Sequence, residues 1–389
     1  TKHLWVADAT AGENNVSIFG GSIRNGALNY QGIILPFTAN IHIAAGGAMS
    51  INGGNIVGFN SDYGGVKNEG ALTVTGGCIL GNNGSSGVGY GGGVYNNGKL
   101  EISGGKIAYN YAYRYGGGVY SIVDSDKTPG SYFRLTGGTI SNNKAAFGGG
   151  IYSMADEKAH PFELLGGIIE YNSAIITGVA NQLSAQGGGI NNSGNMIIGG
   201  GTVQKNSADA GYENIWSTPI TLGFGGPGTV AISEDGIAAG TQIGLSASFA
   251  VCNDSMNGYL SNAKKSDLQY FTAPDGYRVQ YLDITKELRV IAVPQGNYLV
   301  NIDACDCGDL TAPDYATPNA TVTVTVEPEP GHQLKKLTYT PEGGVTTEIK
   351  ADDTGVYSFT MPSTDVTLAA EFEVDYLPCS HGVGDSHDE

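Results

Sequence analysis

The sequence predicts an all-β chain, a right-handed parallel β-helix (solenoid) followed by a small β-domain, and three observations predict it. A Gly-Gly-x-(Ile/Val) unit recurs at Gly20, Gly53, Gly76, Gly104, Gly137, Gly166 and Gly200, 23 to 34 residues apart, a period that marks a stacked-repeat architecture. Between these units apolar residues alternate with the two-residue period of a strand, and no helical period intervenes. Glycine is also unevenly spread: 51 of the 62 lie in residues 1–240, three in 241–293 and eight beyond. With 14 prolines and no three-residue period, neither collagen nor disorder accounts for that glycine content.

Each repeat carries three strand-like pieces. The first is glycine-rich, Gly-Gly-Val at Gly64 and Gly-Gly-Gly-(Val/Ile) at Gly91, Gly116, Gly148 and Gly187. The second alternates apolar residues: Met49/Ile51, Leu72/Val74, Leu100/Ile102, Phe133/Leu135, Phe162/Leu164 and Met196/Ile198. The third is the Gly-Gly-x-(Ile/Val) unit, followed closely by an asparagine such as Asn82, Asn110, Asn142, Asn172 or Asn206. Glycine and asparagine turns supply the positive φ that joins them. Three short strands per turn can bury their apolar residues only against neighbouring coils, which is the logic of a solenoid. Variable spacing then falls into loops that leave the core untouched. From about 207 to 293 the repeats fade, while Val230-Ala-Ile232, Tyr281-Leu-Asp-Ile284 and Leu288-Arg-Val290 keep strand alternation. These segments are expected to be the last degenerate coils and a cap over the open strand edges of a β-helical domain spanning 1–293. Pro294-Gln-Gly296 makes a linker.

The Gly-Gly-Ile and asparagine repeats over residues 20–206 resemble the β-helical repeats of polymorphic outer-membrane-type adhesins and related bacterial surface proteins. That family places phenylalanine three residues before asparagine. Here Phe59-Asn60, Tyr109-Asn110 and Tyr171-Asn172 put an aromatic directly before it. Beyond the linker, Val322/Val324/Val326, Leu337-Thr-Tyr339, Tyr357-Ser-Phe-Thr-Met-Pro362 and Val366/Leu368/Ala370/Phe372 resemble the divergent internalin-B-type bacterial repeat over 297–375. The resemblance implies a spacer or surface-presentation role and brings no catalytic residues. Residues 376–389 read as a flexible tail, and Leu377-Pro378-Cys379-Ser380 departs from a Leu-Pro-x-Thr-Gly sorting signal.

Charge separates the same two regions. Residues 297–389 carry 17 acidic side chains against three lysines, so −14 of the net charge of −18 lies there. Such a field repels phosphate backbones and anionic lipid, and no segment is apolar enough to span a bilayer, so neither nucleic acid nor membrane insertion is expected. The five cysteines, Cys78, Cys252, Cys305, Cys307 and Cys379, are too few and scattered for a disulfide framework, and Cys305-Asp306-Cys307 lacks the spacing of a zinc knuckle. No cofactor, metal ligand or catalytic residue is assigned. Asp303, Asp306 and Asp309 do not match a calcium loop and read as a solvated acidic turn.

Two outward columns follow from aligning the coils. After the inward Val/Ile of the glycine-rich strand come Lys67, Tyr95, Tyr120, Tyr152 and Asn191. Tyr95, Tyr120 and Tyr152 should stack, either as a platform for sugar rings or a protein partner, or as a stabilising ladder. The connections at 121–132 and 153–161 are long, 12 and nine residues, and would wall the column with Asp124, Asp126, Lys127, Asp156, Glu157, Lys158 and His160. The ligand-binding candidates are therefore Tyr95, Tyr120, Tyr152, Asp124, Asp126 and His160, with the loop charges alternatively a solvated surface. The second column holds Glu101, Arg134 and Glu163. Its carboxylates, about 9 to 10 Å apart, have the separation of an inverting glycosidase pair, but the arginine between them favours a salt-bridge ladder. The acidic clusters of pectate lyases and the Gly-His-Gly segment of polygalacturonases are missing. The expectation is a monomeric, extracellular or cell-surface adhesin or binding scaffold that recognises a glycan or host surface protein. A polysaccharide-active lyase or hydrolase and a non-binding stalk are the alternatives.

Overall fold

The computed structural model describes residues 41–84, 89–124, 129–155, 160–175, 185–209, 213–217, 230–245, 259–283, 285–303 and 305–375, with the backbone of five short strands before residue 41. The chain divides into two compact units, Thr1–Tyr281 with Lys286–Ala292, and Leu282–Thr285 with Val293–Glu389.

The first unit is a parallel β-helix. One sheet stacks Ile41–Ile43, Val66–Asn68, Val94–Asn96, Val119–Val123, Ile151–Ala155, Ile190–Asn192 and Ile215–Ser217, each paired in parallel with the strand one coil away. A second sheet stacks Ala48–Val57, Ala71–Leu80, Lys99–Ala108, Tyr132–Ser141, Phe162–Glu170 and Met196–Gln204. A third is built from the two-residue strands Asn83–Gly84, Tyr111–Ala112, Lys144–Ala145, Ser173–Ala174 and Ser207–Ala208.

The expected partition of each coil changes in one respect. The alternating apolar segment and the Gly-Gly-x-(Ile/Val) unit are not two strands but halves of one strand, bent where the pairing register shifts. The glycine pair makes the bend possible. Gly105 and Gly138 sit at φ +74° and +80°, and a Cβ on Gly104 would lie 2.1 Å from the Thr75 carbonyl oxygen of the preceding coil. The third wall is instead the short strand after the asparagine.

Inward residues at like positions form the core: Met49, Leu72, Leu100, Phe133, Phe162 and Met196 in one column, Ile51, Val74, Ile102, Leu135, Leu164 and Ile198 in the next, all essentially inaccessible. Phe133 and Phe162 stack with ring centroids 4.4 Å apart. Because each coil's apolar layer is covered by the coils on either side, roughly 25 cal/mol per Å² of buried apolar surface is gained only on stacking.

An asparagine ladder lines the bend before the third sheet. Asn143 Nδ2 donates to Ile107 O (2.9 Å) and Asn172 Oδ1 (3.0 Å), while its Oδ1 accepts from Asn110 N and Nδ2 (both 3.0 Å). Asn82, Asn110, Asn172 and Asn206 repeat the pattern. The ladder residue in its coil is Asn143, while Asn142, the first asparagine after that coil's Gly-Gly unit, occupies the left-handed position at φ 56° beside its counterparts Gly81, Tyr109, Tyr171 and Lys205. Phe59 holds the ladder position in the earliest described coil, where its N–H donates to Asn82 Oδ1.

Past Gln204 the long strand splits. Val230–Ile232 pairs with one half and Gln242–Gly244 with the other, then Tyr259–Ser261 and Phe271–Thr272 add on in parallel. The parallel winding ends where Glu287–Ala292 joins Tyr259–Ser261 antiparallel. The second unit is all β, a five-stranded and a three-stranded sheet around Val300, Val322, Val324, Leu337, Phe359, Met361, Val366 and Leu368. Among the described residues no helix is long and apolar enough to cross a membrane.

Candidate functional site, an aromatic face on the solenoid

The outer side of the glycine-rich sheet is set by one register. His42, Lys67, Tyr95, Tyr120, Tyr152 and Asn191 are direct neighbours on successive coils. Parallel strands stacked in register place identical residues at one strand spacing, and the rings do stack: Tyr95 on Tyr120 at 5.4 Å and 24°, Tyr120 on Tyr152 at 5.5 Å and 16°.

A second column lies against the first. The residue immediately before each glycine unit is Tyr63, Tyr90, Tyr115, Phe147 or Gln186, and bridges run from Tyr90 to Tyr115 to Phe147 to Gln186. Tyr90 stacks on Tyr115 at 5.6 Å and Tyr115 on Phe147 at 5.4 Å. The columns interlock through Tyr90–Tyr120 at 5.0 Å, Tyr115–Tyr152 at 4.7 Å and the edge-on Tyr63–Tyr95 pair at 4.7 Å. Tyr120 and Tyr152 are consequently 6% and 7% exposed, whereas Tyr63, Tyr90, Tyr95, Tyr115 and Phe147 are half-buried. What this face offers a ligand is therefore the second column and Tyr95, with Tyr120 and Tyr152 as the layer beneath. This outer column was legible in the sequence as the aromatic preceding Gly-Gly.

Burial pushes the Tyr95 and Tyr152 phenols up to about 12, with neighbouring Tyr63 and Glu69 adding to the effect at Tyr95 and a hydrogen bond to Ser193 opposing it at Tyr152. Burial raises Tyr120 and Tyr115 as well. All four remain neutral phenols at physiological pH. One end of the column is charged: Glu69 bonds Lys67 Nζ at 2.7 Å and His42 Nε2 at 2.6 Å, and Lys67 lies 5.0 Å from the Tyr63 ring centroid. Desolvation opposes ionisation of Glu69, but its bonds to Lys67 and His42 outweigh that and hold the carboxyl below its ordinary value.

The loop candidates are less converged. Asp124 directly follows the Val119–Val123 strand that carries Tyr120, and His160 is exposed just ahead of Phe162–Glu170. Asp126, with Lys127, Asp156, Glu157 and Lys158, lies outside the described residues. On the other sheet Glu101, Arg134 and Glu163 are in register, Arg134 Nε donates to Glu163 Oε2, and the carboxylates raise the arginine further. Arg134 and Glu163 make a solvent-facing ion pair, and Glu101, in register one coil earlier, adds only a longer-range attraction to the arginine. A further pair of aromatics, Tyr109 and Tyr171, is 62% and 50% exposed at the left-handed position, each with a lysine ammonium (Lys106, Lys205) within 6 Å of the ring.

Comparison with known proteins adds one match, to the family described as the divergent InlB B-repeat domain, over residues 298–375. No curated protein and no solved structure gives a significant match. The second unit's two small sheets occupy that span. Residues 298–375 are therefore a divergent InlB B-repeat domain, following a parallel β-helix in the chain.

Proposed function

We propose that this chain is an extracellular, bacterial surface-displayed binding scaffold of the adhesin type, and that the aromatic face of its β-helix recognises a glycan. The observation that carries the reading is the doubled aromatic column outside the solenoid. The interior already has its own apolar core, so seven rings on the outer side of one sheet are not needed to close the coils. Flat rings repeated at one strand spacing, about 4.8 Å, offer apolar faces for sugar rings, and neutral phenol hydroxyls at their rims supply hydrogen bonds. The InlB-type repeat supports surface display. The net charge of −18 argues against nucleic acid as partner.

The test is a glycan-array and mucin-binding screen of the purified chain, with released reducing or unsaturated sugar monitored in the same wells. Tyr90→Ala combined with Tyr115→Ala is expected to weaken saturable binding at least tenfold, with no sugar released. Equal loss in Tyr109→Ala/Tyr171→Ala, with Tyr90→Ala/Tyr115→Ala unchanged, would move the site to the other ridge. Sugar release would replace the adhesin with a polysaccharide-active enzyme. A chain that binds no glycan but captures a host surface protein through the same tyrosines would change the ligand and keep the face.

A further inference from the structure

One corner of the InlB-type domain gathers three side chains of different chemistry. Cys307 directly precedes the strand Gly308–Thr311, and Glu329 directly follows Thr321–Pro328. These strands pair antiparallel with Gly308 opposite Pro328. Cys307 and Glu329 therefore meet where the ladder ends, and the Glu329 N–H donates to the Cys307 carbonyl at 3.0 Å. The next four residues reverse the chain. The His332 N–H donates to the Glu329 carbonyl at 2.9 Å, with Pro330 second in the turn and Gly331 third at φ +83°, the arrangement of a type II turn. That turn returns His332, first residue of the strand His332–Pro341, to the side of Glu329. One ligand atom from each of Cys307, Glu329 and His332 lies within 4.8 Å of the other two.

We propose that Cys307, Glu329 and His332 form a metal site that selects zinc. A thiolate, an imidazole and a carboxylate are the donors zinc takes in its tetrahedral sites, whereas calcium and magnesium ask for oxygen alone. Around one tetrahedral zinc such atoms stand about 3.3–3.8 Å apart, so small side-chain rotations close the cluster on the ion. Three protein donors leave the fourth position open to water or to a group from a partner. Two further observations point to a cation here. His332 Nδ1 is shut off from solvent and has no hydrogen-bond partner, and a buried ring nitrogen left so is costly. One step along the same ladder Asp309 faces Glu327, a like-charge pair that repels when alone and is relieved by a nearby cation. The donors come from positions 307, 329 and 332, which is why the spacing of Cys305 and Cys307 gives no sign of them.

The test uses the full chain, reduced and stripped of metal with a chelator. Calorimetric titration with zinc chloride is expected to give a binding step that Cys307→Ser and His332→Ala each weaken at least tenfold. Cobalt(II) as a spectroscopic probe should show a thiolate-to-metal charge-transfer band in the wild type and in Glu329→Gln, absent in Cys307→Ser. In the unmodified chain, zinc should slow alkylation of Cys307 at least tenfold while leaving Cys78 unchanged, as read by peptide mass spectrometry. That arm needs no variant to fold. Undiminished zinc binding by folded Cys307→Ser and His332→Ala, no thiolate band with cobalt, or unprotected Cys307 would each overturn the site.

Discussion

Asn142 and Asn143 are adjacent, chemically identical and put to opposite uses. Asn143 is fully buried, and its amide joins three coils. Replacing it with alanine strands the Asn110 N–H and the Ile107 carbonyl, buried groups worth roughly 1–3 kcal/mol each. Asn143→Ala is therefore expected to cost on the order of 3 kcal/mol in denaturant unfolding. Asn142→Gly should change stability by less than about 1 kcal/mol, because glycine already serves that left-handed position at Gly81. The third glycine of each glycine-rich segment answers to the same ladder: a Cβ on Gly118 would lie 2.7 Å from the Gly150 oxygen and 3.0 Å from Asn143 Nδ2. The stacked phenols predict an alkaline effect. Tyr95 and Tyr152 ionise near their ordinary value of 10 in the unfolded chain but only around 12 in the folded one. Their contribution is complete below pH 10 and is lost as pH rises toward 12, since the unfolded chain gives up its protons first. Unfolding midpoints should fall across that window, and tyrosinate absorbance should show a late-titrating group that unfolding brings into line.

Among the elements, the long bent strand decides the cross-section of the solenoid. Its two halves are legible as alternating apolar residues and as a Gly-Gly unit. Their continuity is not, because a strand that turns a corner at a glycine pair has the same local pattern as two strands joined by a tight turn. The charged column on this strand followed from register alone, since Glu101, Arg134 and Glu163 fall at matching positions, but only Arg134 and Glu163 close an ion pair. Exposed ion pairs contribute about 0–1 kcal/mol. Arg134→Gln should accordingly shift stability by no more than about 1 kcal/mol in denaturant unfolding. It should leave glycan binding unaltered, and a large loss of binding would bring that column into the recognition surface. The tyrosine column was legible for the same reason, as identical residues at identical register. Its burial was not, because the covering column comes from residues outside the strands, at the entry to each glycine turn.

At the scale of the whole molecule, two separate cores coincide with two compositions. The solenoid's core runs from Ile41 to Val290 and the second unit's from Val300 to Leu368. The acidic excess lies in residues 297–389. A unit with its own core is expected to unfold in its own transition. Calorimetry of the full chain should show two transitions. A fragment starting at residue 294 should retain one of them with its midpoint within a few degrees, and a single merged transition abolished by the cut would show the units to be thermodynamically coupled.

By itself the sequence determined the all-β class, the parallel β-helix, the InlB-type repeat beyond it and the columns of like residues, because each rests on a local period or a repeated motif. Only the tertiary structure decided which asparagine joins the ladder, which tyrosines lie beneath others, and that positions 307, 329 and 332 converge. Those outcomes depend on how much of a side chain its neighbours cover and on how antiparallel strands end, and both are set by contacts between residues far apart in the chain.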